Sequence, residues 1–519
     1  MAQAPLKLGT RRSALARAQS GAIARRLEAL HPGLNVELVG IDTRGDRITD
    51  VPLSQVDGKA FFTAEIDAAL LGGAVDLTVH SFKDLSLERP GGLVLGAVPR
   101  RENPRDIVIF APDMLERLKS GAPVRIGSSS PRRAALVPDF LERALPGNPR
   151  VQLCELRGNV DTRLRRVREP RGAERQLDGV VLALAGLARL GADESVGGRA
   201  LVEGLLAGLP RMLLPLTACP GAPAQGALAI ECRADDARTR ALLAAIDDAP
   251  TRTAVAAERA LLAERGGGCH QRFGATQVDV PALGSLLYVR EDGEAGADGR
   301  STPRALQLRW TPAVPPPALP PERAPWDGST EPAPAAQPLP EAAARSARAL
   351  QSAPALFVTH RRALPALRPE AVNACPHVWV PGMETWFALA ERGVWVEGCT
   401  EGLGFGALAP LFALPLLRLP PAADWLVFTH AGAEAQWPEG RVIATYAHAA
   451  AAAGTPPPRG TTHYYWHSGA QFERWRGAVA ADAHHACGPG KTAEHLKGAG
   501  VTRLSVFPSA VQWRAWVGA

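Results

Sequence analysis

The sequence is poor in lysine, in paired cysteines and in long apolar runs. Only six of its 58 basic residues are lysines, at positions 7, 59, 83, 119, 491 and 497. No uninterrupted apolar run of about 18 residues occurs, so we predict no transmembrane helix. The opening residues, "MAQAPLKLGTRR", lack the apolar segment of a secretory signal peptide, and none is expected.

The seven cysteines are scattered, at positions 154, 219, 232, 269, 375, 399 and 487, and no two form a CxxC pair. A disulfide framework or a structural zinc site needs paired, regularly spaced cysteines, so we expect neither. An odd number of scattered thiols is typical of a reducing compartment, and the predicted location is the cytoplasm.

Positive charge in this chain is carried mostly by arginine, although the net charge is only +6 over 519 residues. Two explanations stay open: the codon preference of a GC-rich genome, or bidentate recognition of carboxylate or phosphate groups. There is no long basic run and no stretch of alternating basic and aromatic residues. We therefore expect no nucleic-acid partner.

The length exceeds what one hydrophobic core usually supports, and it predicts three or four domains. The N-terminal part alternates short apolar runs with helical patterns. Predicted strands are 6–10, 35–41, 75–79, 124–130, 151–156 and 179–186, and predicted helices include 13–30 and 64–73. This alternation is typical of α/β folds with parallel sheets. It predicts two doubly wound lobes around a cleft, as in periplasmic binding proteins.

The rest of the chain divides by composition. Residues 235–311 combine helices with short strands and predict a small α+β domain, and 353–519 return to an α/β pattern. Between them, a segment rich in proline and alanine is interpreted as an extended linker. The predicted domains are 1–99 plus 213–231, 100–212, 235–311 and 353–519, with the linker at 312–352.

Ligands of open α/β sheets bind beyond the carboxyl ends of the strands. In this chain those positions hold mainly cations and serines: Arg11, Ser13, Lys83, Ser129, Ser130, Arg132, Arg133, Arg157, Arg163 and Arg189. Ser130 and Pro131 also predict a helix start, with Ser130 as its cap, whose free N–H groups favour an anion. An isolated arginine at a helix start is more often a solvated surface residue, but the combined set predicts a cleft for a ligand with several carboxylates.

Asp84 and Cys269 stand out from their surroundings. Asp84 is the carboxylate among these cations, and it is either a salt-bridge partner or a catalytic acid, base or stabiliser of a transient cation. Cys269 follows Gly266, Gly267 and Gly268 and precedes His270. A flexible, polar segment of this kind is a poor core position for a thiol.

Eleven segments along residues 1–311 together resemble the porphobilinogen deaminase family. In order they are "LGTRRSALA", "TRGD", "GKAFF", "HSFKD", "ENPRD", "IGSSSPRRAAL", "LRGNVDTRL", "LAGLARLG", "AQGALAIECR", "AAERALL" and "GGGCHQRFGA". The resemblance implies a hydroxymethylbilane synthase, a transferase of porphyrin and heme biosynthesis. Such an enzyme condenses four porphobilinogen molecules with loss of ammonia and releases the product by hydrolysis.

The resemblance also implies roles for particular residues. Cys269 would carry a covalent dipyrromethane cofactor, and Asp84 would be the catalytic carboxylate. The cofactor would be held by Lys83, Ser13, Ser129, Ser130, Arg132 and Arg133, and the substrate by Arg11, Arg157, Arg163 and Arg189, with Phe62 covering the site. The chain departs from the family pattern at Phe82, Leu85, Ser86 and Pro131, and these departures leave every charged group in place.

Three C-terminal segments resemble the uroporphyrinogen-III synthase family: "WLVFTHAGAE", "YYWHSGAQFERW" and "CGPGKTAEHLKGAG". This implies a second activity, cyclisation of hydroxymethylbilane, and the alternative is a non-catalytic scaffold domain. "GPGKT" does not match a phosphate-binding loop, because His485 stands where glycine is required. His484, His485 and Cys487 lack a matching second pair of metal ligands, so the histidines are interpreted as surface residues rather than as part of a metal site.

For the whole chain, the alternative to an enzyme is a carboxylate-binding protein without chemistry. Asp84 and Cys269 favour the enzyme, because a receptor needs neither. We expect a monomer with porphobilinogen as its small-molecule partner and no metal, nucleic acid or membrane.

Overall fold

The computed structural model describes residues 4–43, 63–268, 271–293, 302–329, 335–437, 440–449 and 455–518. The chain forms two compact units. The N-terminal unit comprises Met1–Glu142, Pro149–Val278 and Leu287–Leu308, and the C-terminal unit comprises Arg143–Asn148, Asp279–Leu286 and Arg309–Ala519.

The first sheet of the N-terminal unit has the order β2–β1–β3–β10–β4. Its strands are β1 (Leu6–Arg11), β2 (Val36–Ile41), β3 (Leu77–Ser81), β4 (Leu93–Ala97) and β10 (Leu228–Arg233), and its helices are α1 (Ala14–Leu30) and α2 (Ala64–Leu71). Ser13 caps α1, whose Ile23 and Leu27 pack on the sheet beside Leu6 and Leu8. Each such buried side chain contributes about 1.5–3 kcal/mol.

The second sheet has the order β7–β6–β8–β5–β9. Its strands are β5 (Asp106–Phe110), β6 (Val124–Gly127), β7 (Val151–Cys154), β8 (Gly179–Ala183) and β9 (Arg211–Leu213). The associated helices are α3 (Met114–Lys119), α4 (Pro131–Ala144), α5 (Val160–Arg166), α6 (Leu184–Gly191) and α7 (Gly198–Leu206).

These two sheets confirm the predicted pair of α/β lobes, but they are mixed rather than wholly parallel. In the first sheet β10 runs antiparallel to β3 and β4, and in the second β5 runs antiparallel to β8 and β9. Both strands directly follow a crossing of the chain from one sheet to the other. β5 is the first strand of the second sheet along the chain, and β10 is the last strand of the first sheet. Each runs antiparallel to both of its neighbours.

After β10 the chain forms two helices and a small sheet. They are α8 (Ala237–Ala244), α9 (Ala249–Glu264), β11 (Phe273–Val280), β12 (Gly284–Glu291) and β13 (Gln307–Pro312). The strands form a three-stranded sheet in that order. Leu261 and Leu262 of α9 pack against Phe273, Leu287 and Val289, which gives this part of the chain its own small core.

The C-terminal unit contains two further sheets. The six-stranded sheet has the order β15–β20–β19–β16–β17–β18, formed by β15 (Ala336–Pro338), β16 (Ala355–Val358), β17 (His377–Val380), β18 (Gly398–Cys399), β19 (Trp425–His430) and β20 (Arg441–His448). The four-stranded sheet has the order β14–β21–β22–β23, formed by β14 (Pro325–Trp326), β21 (His463–Trp466), β22 (His484–Cys487) and β23 (Leu504–Val506).

Strand pairs in both sheets are parallel, apart from β15 against β20. The helices of this unit are α10 (Ala342–Leu350), α11 (Pro369–Asn373), α12 (Met383–Glu391), α13 (Ala409–Phe412), α14 (Gly469–Trp475), α15 (Lys491–Gly498) and α16 (Ala510–Val517). Short 3-10 helices lie at Phe82–Asp84, Glu194–Val196, Arg361–Ala363, Phe405–Leu408, Pro415–Leu417, Ala422–Asp424, Glu434–Gln436 and Arg476–Ala478.

The segment interpreted as an extended linker is instead part of the C-terminal sheets. Pro325–Trp326 pairs with β21, and Ala336–Pro338 pairs with β20. The Trp326 ring lies 5.4 Å from that of Trp466 and 5.9 Å from that of Tyr464. A proline-rich strand can pair at a sheet edge, because an edge strand does not need every N–H.

The interpretation of His484 and His485 as surface histidines is also wrong. Both lie in β22, inside the four-stranded sheet, where His484 is buried and His485 is half-buried. The pKa of His484 is lowered to about 4, chiefly by burial and also by the neighbouring His463. These side chains are therefore core residues of the sheet.

No single helix in the described part of the chain is both long and apolar enough to cross a membrane. The bent pair Phe405–Phe412 and Pro415–Asp424 reaches that length and composition only when its two parts are taken together.

Candidate active site

The turn after β3 presents Lys83 and Asp84. β3 ends at Ser81, and the next three residues form the 3-10 helix Phe82–Asp84. The carboxylate of Asp84 is exposed, and it forms no hydrogen bond or close ion pair with the described residues. This argues against Asp84 as a structural salt-bridge partner.

Arg259 of α9 fixes the backbone on both sides of Asp84. Its guanidinium lies 4.6 Å from the centre of the Phe82 ring and donates to the carbonyl oxygens of Leu85 at 3.0 Å and Ser86 at 2.9 Å. Phe82 and Leu85 are both buried in one small core. The departures from the family pattern at Phe82, Leu85 and Ser86 are therefore part of the support for Asp84.

Lys83 is surrounded by charges from both lobes. Burial lowers its pKa, Asp84 and Asp106 oppose that effect, and Arg133 and Arg132 add to it. A negative charge that enters beside Lys83 would favour its charged form, because a nearby opposite charge raises the pKa of a lysine.

The start of α4 confirms the predicted cap. α4 begins at Pro131, and the Ser130 hydroxyl oxygen accepts a hydrogen bond from the Arg133 N–H at 3.4 Å. Ser129 is half-buried in the turn between β6 and α4. The helix therefore presents its positive end beside two serine hydroxyls.

Arg132 and Arg133 are both buried and both bind Asp106. Their Nη2 atoms lie 2.6 Å and 2.7 Å from the two Asp106 carboxylate oxygens. Gln225 donates to Asp106 as well, at 2.9 Å. The Nε of Arg132 is buried without a hydrogen-bond partner among the described residues. Arg132 also donates to the Pro220 carbonyl oxygen at 2.8 Å and Arg133 to that of Val181 at 2.9 Å. The Arg132 Nε is therefore the one nitrogen of this pair left without a partner among the described residues.

Arg157 and Arg163 lie close enough to repel each other. The Nε and Nη2 of Arg157 are buried without hydrogen-bond partners in the described structure, and a carboxylate oxygen of Glu155 lies 3.9 Å from Nε. The pKa of Arg163 is lowered to about 10, chiefly by burial and also by the charges of Arg133 and Arg157, while Asp84 opposes the change. These two arginines and Asp84 therefore share one electrostatic environment.

Three other predicted residues make contacts of their own. Ser13 caps α1 by accepting from the Ala16 N–H at 3.3 Å, and Arg11 is near enough to His80 to lower its pKa. Arg189 donates from Nη2 to the Gly226 carbonyl oxygen at 2.5 Å, on the segment that returns from the second sheet to the first. Burial lowers the Arg189 pKa to about 10, and Glu102 opposes this. Arg189 thus holds the crossing segment.

The glycines before Cys269 all adopt a left-handed backbone. Gly266, Gly267 and Gly268 have φ angles of 81°, 72° and 87°, which favour residues without a Cβ. A Cβ on Gly267 would lie 3.0 Å from the side chain of Leu87, three residues after Asp84. Cys269 and Phe62 lie outside the described residues. Arg272 beyond the cysteine forms an ion pair with Asp292.

One cluster has the composition of a metal site. Asp67, His80 and Glu231 are buried with their ligand atoms within 4.8 Å of one another. Arg89 donates to Asp67 at 2.5 Å and to the two oxygens of Glu231 at 2.8 Å and 2.7 Å. The guanidinium supplies the positive charge there, so these residues do not fit an additional cation.

Sequence reasoning missed the importance of Glu258. This fully buried side chain binds Arg101 at 2.6 Å and 2.9 Å, and it accepts from the backbone N–H groups of Ala224 and Gln277. It joins both crossing segments to α9. The sequence pattern does indicate this role, because Glu258 lies at helical spacing from the apolar Val255, Leu261 and Leu262. A carboxylate on the buried face of a helix needs a partner.

Comparison with known proteins links the N-terminal half of the chain to one group. The family model described as "Porphobilinogen deaminase, dipyromethane cofactor binding domain" matches residues 6–241. A porphobilinogen deaminase of Roseiflexus sp. (strain RS-1) is 45% identical over 301 residues, which are 57% of this chain and 87% of the relative. One of Sphingopyxis alaskensis is 46% identical over 302 residues, covering 57% of this chain and 86% of the relative.

Solved structures are matched less closely. A periplasmic substrate-binding protein of an ABC transporter from Coxiella burnetii is 14% identical, with a TM-score of 0.25, over 48% of this chain and 94% of its own.

Proposed function

Because this chain belongs to the porphobilinogen deaminase family, we propose that its N-terminal unit is a hydroxymethylbilane synthase. The reaction joins four porphobilinogen molecules with loss of ammonia and releases hydroxymethylbilane by hydrolysis. The observation that carries the proposal is a group of buried and half-buried cations around one exposed carboxylate. The cations are Lys83, Arg132, Arg133, Arg157 and Arg163, and the carboxylate is Asp84.

The cations suit a substrate that carries two carboxylates on each pyrrole ring. Arg157 offers two buried N–H donors, Arg132 offers one, and neither has another partner for them among the described residues. Leaving such donors unpaired costs about 1–3 kcal/mol each. A carboxylate bound there would accept these hydrogen bonds and would offset the repulsion among Lys83, Arg133 and Arg163.

Asp84 is placed to act on the reacting pyrrole. Its free carboxylate can accept a hydrogen bond from a pyrrole N–H, and it stabilises the positive charge that develops on the ring when ammonia leaves. Arg259 holds the adjoining carbonyl groups, so the carboxylate does not have to reorganise during the reaction. A charge fixed in advance is often the largest single contribution to catalysis.

The residues present also fit the dipyrromethane cofactor that names the matched domain. When bound, this cofactor supplies the nucleophilic pyrrole carbon to which substrate is added. Cys269 would hold it by a thioether, and Gly267, packed beside Leu87, brings the preceding loop close to the Asp84 turn. Its carboxylates would be held by Lys83, Arg132, Arg133 and the hydroxyls of Ser13, Ser129 and Ser130. Arg272 adds little charge to the thiol, because Asp292 neutralises it.

Substrate carboxylates would be held chiefly by Arg157 and Arg163. Arg11 lies at the end of β1, on the same edge of the first sheet as the Asp84 turn, because β1 and β3 are parallel. Arg189 would contribute by holding the crossing segment through Gly226 rather than by direct contact. A carboxylate receptor without chemistry would explain the cations but not the unpaired Asp84, and the deaminase relatives favour the enzyme.

For the C-terminal unit we propose cyclisation of hydroxymethylbilane to uroporphyrinogen III. The unit has two mainly parallel sheets. The residue before the 3-10 helix Phe405–Leu408 and the residue before α15 come close together, since a Cβ on Gly490 would lie 3.2 Å from the Cα of Gly404. Lys491, the first residue of α15, has its Nζ 5.2 Å from the centre of the Trp437 ring. Because Lys491 also lies 2.9 Å from a Glu494 carboxylate oxygen, the aromatic face of Trp437 is what this corner offers to a pyrrole ring. The alternative is a non-catalytic scaffold.

The uroporphyrinogen isomer that forms distinguishes a cyclase from a non-catalytic scaffold. Purified full-length chain is incubated with porphobilinogen, and the uroporphyrinogens are oxidised and separated by chromatography. The type III isomer is expected as the main product, because enzymatic closure inverts one ring. Type I, which forms when hydroxymethylbilane closes unaided, would contradict the second activity and leave the first unaffected. Failure to consume porphobilinogen would contradict the deaminase itself.

A further inference from the structure

A basic cluster lies at the carboxyl edge of the six-stranded sheet. It consists of His360, Arg361, Arg362, His430 and His448, and we refer to it as the basic edge cluster. His360 and the two arginines follow β16, His430 ends β19, and His448 ends β20. Because β16, β19 and β20 are parallel, their ends meet at one edge.

This edge contains the point where the strand order reverses. From β16 the chain adds β17 and β18 on one side, and it then returns to add β19 and β20 on the other side. In open α/β sheets, the crevice beyond the strand ends at such a reversal is where ligands bind. His360 and His430 stand at the ends of the two strands that flank it.

The side chains of the cluster are close together. The rings of His430 and His448 have their centres 4.7 Å apart, and Tyr446 lies 5.9 Å and 5.4 Å from them. The Nδ1 of His360 accepts the Arg362 backbone N–H at 3.1 Å. The Nδ1 of His448 is buried and has no hydrogen-bond partner in the described part of the chain.

The charges around the cluster favour an anion. Burial lowers the pKa of His360, His430 and His448, and Arg362 lowers those of His360 and His448 further. Arg362 also opposes the rise that burial causes in the Tyr446 pKa. Among the described residues two acids are near: Glu384 lies 3.6 Å from Arg361 of the cluster itself, and Glu434 accepts the Gly432 N–H at 2.6 Å.

The same histidines do not converge on a cation. Among the described residues, the one group of three such ligands within reach of a metal ion is Asp67, His80 and Glu231, in the other unit. Neutral histidines beside two arginines would instead bind protons when an anion enters, because a bound negative charge stabilises the imidazolium.

We propose that the basic edge cluster binds the carboxylate groups of a tetrapyrrole in the C-terminal unit, with uptake of protons by its histidines. The proposal rests on the proposed second function, because it identifies where that unit holds its substrate. In this site Arg362 and His448 bind the carboxylates, and His360 and His430 support the positions of these two side chains.

The test is a calorimetric titration of the full-length chain with uroporphyrin, a stable polycarboxylate of the same class. Titrations near neutral pH in two buffers of different ionisation enthalpy give both affinity and proton uptake. Arg362→Met and His448→Gln are compared with Arg441→Met, an exposed arginine at the opposite end of β20. Binding in the N-terminal unit is common to all variants and cancels in the comparison.

Arg362→Met is expected to weaken binding in the C-terminal unit about tenfold, which is about 1.4 kcal/mol. His448→Gln is expected to reduce the proton uptake, because glutamine does not titrate. Porphobilinogen consumption and the Arg441→Met titration should match the wild type. Wild-type affinity and proton uptake in both cluster variants would overturn the proposal, and thermal melts of each variant show that it is folded.

The outcome separates this proposal from the cyclase. Loss of binding in Arg362→Met together with type I product from the wild-type chain would support the binding site and contradict the cyclase. Type III product from a wild-type chain and equally from both variants, with unchanged binding, would overturn the binding site and leave the cyclase intact.

Discussion

Asp84 is the residue on which the proposed chemistry depends most. It is exposed, unpaired among the described residues, and electrostatically coupled to Lys83 and Arg163. Its neighbours Phe82, Leu85 and Ser86 make the contacts that fix the turn. Substitution of Asp84 should therefore change the charge of the site without changing the fold.

Asp84→Asn is expected to lower kcat about 100-fold or more, because a preorganised charge is lost from the transition state. Porphobilinogen consumption is measured under steady-state conditions. Asp235→Asn is the matched control, since Asp235 is exposed beyond the end of β10, at the opposite edge of the same sheet. Comparable rates in the two variants would show that Asp84 is not catalytic.

Arg157 should affect substrate binding more than turnover. Its two buried donors lack partners in the described structure, and a hydrogen bond between charged groups is worth about 1.5–3 kcal/mol. Arg157→Met is therefore expected to raise KM roughly tenfold or more, with a smaller change in kcat. Arg165→Met, on the exposed face of α5, serves as the control. An unchanged KM in Arg157→Met would contradict a role in carboxylate binding.

At the scale of elements, Asp106 connects three parts of the N-terminal unit. It begins β5, binds both arginines of the first turn of α4, and accepts from Gln225 on the returning segment. Burial tends to raise its pKa, but the charges of Arg132 and Arg133 outweigh this and hold the pKa well below its ordinary value. The carboxylate is therefore a structural counter-ion.

Asp106→Asn is expected to destabilise the fold by about 3–5 kcal/mol, because two buried guanidinium groups lose their partner. A carboxyl group with a lowered folded-state pKa contributes its stability above the unfolded pKa, about 3.9, and loses it as the pH falls below that value. Urea unfolding of both proteins checks this: the difference in free energy should be large near neutral pH and should shrink in acid. A difference that stays constant with pH would contradict the assignment.

Elements with a strong local pattern were predictable from the sequence, and their pairing was not. β1, α1, β6 and the Ser130 cap lie where apolar periodicity and capping residues indicate. The antiparallel direction of β10 depends on pairing with β3, far away in the sequence. Pro325–Trp326 lies in the segment predicted to be a linker, because two residues are too few to show a periodic pattern. The strand is recognised only from the contact of Trp326 with Tyr464 and Trp466.

The candidate site was predictable to a similar degree. The cations and Asp84 are predicted from the sequence because they follow strands, and the carboxyl ends of parallel strands meet at one edge of each sheet. The ion pair that occupies Arg132 and Arg133 was not predicted as such, since it joins residues of different elements. Arg189 was expected to touch substrate, but its placement against Gly226 depends on how the crossing segments pack.

At the scale of the whole molecule, one chain combines a deaminase with a second α/β unit. The two proposed activities would act in succession, since the product of the first is the substrate of the second. The family relationship covers the N-terminal half, where the matched relatives align. The deaminase proposed for that half requires Cys269 as the point at which the cofactor is attached.

The most direct measurement is the intact mass of the purified protein and of its Cys269→Ser variant. The wild-type mass should exceed that of the 519-residue chain by two porphobilinogen units less two molecules of ammonia. Cys269→Ser should lose this increment and the activity together, while Cys154→Ser, in β7, should keep both. A fully active wild-type protein without the increment, or an increment that persists in Cys269→Ser, would contradict the account.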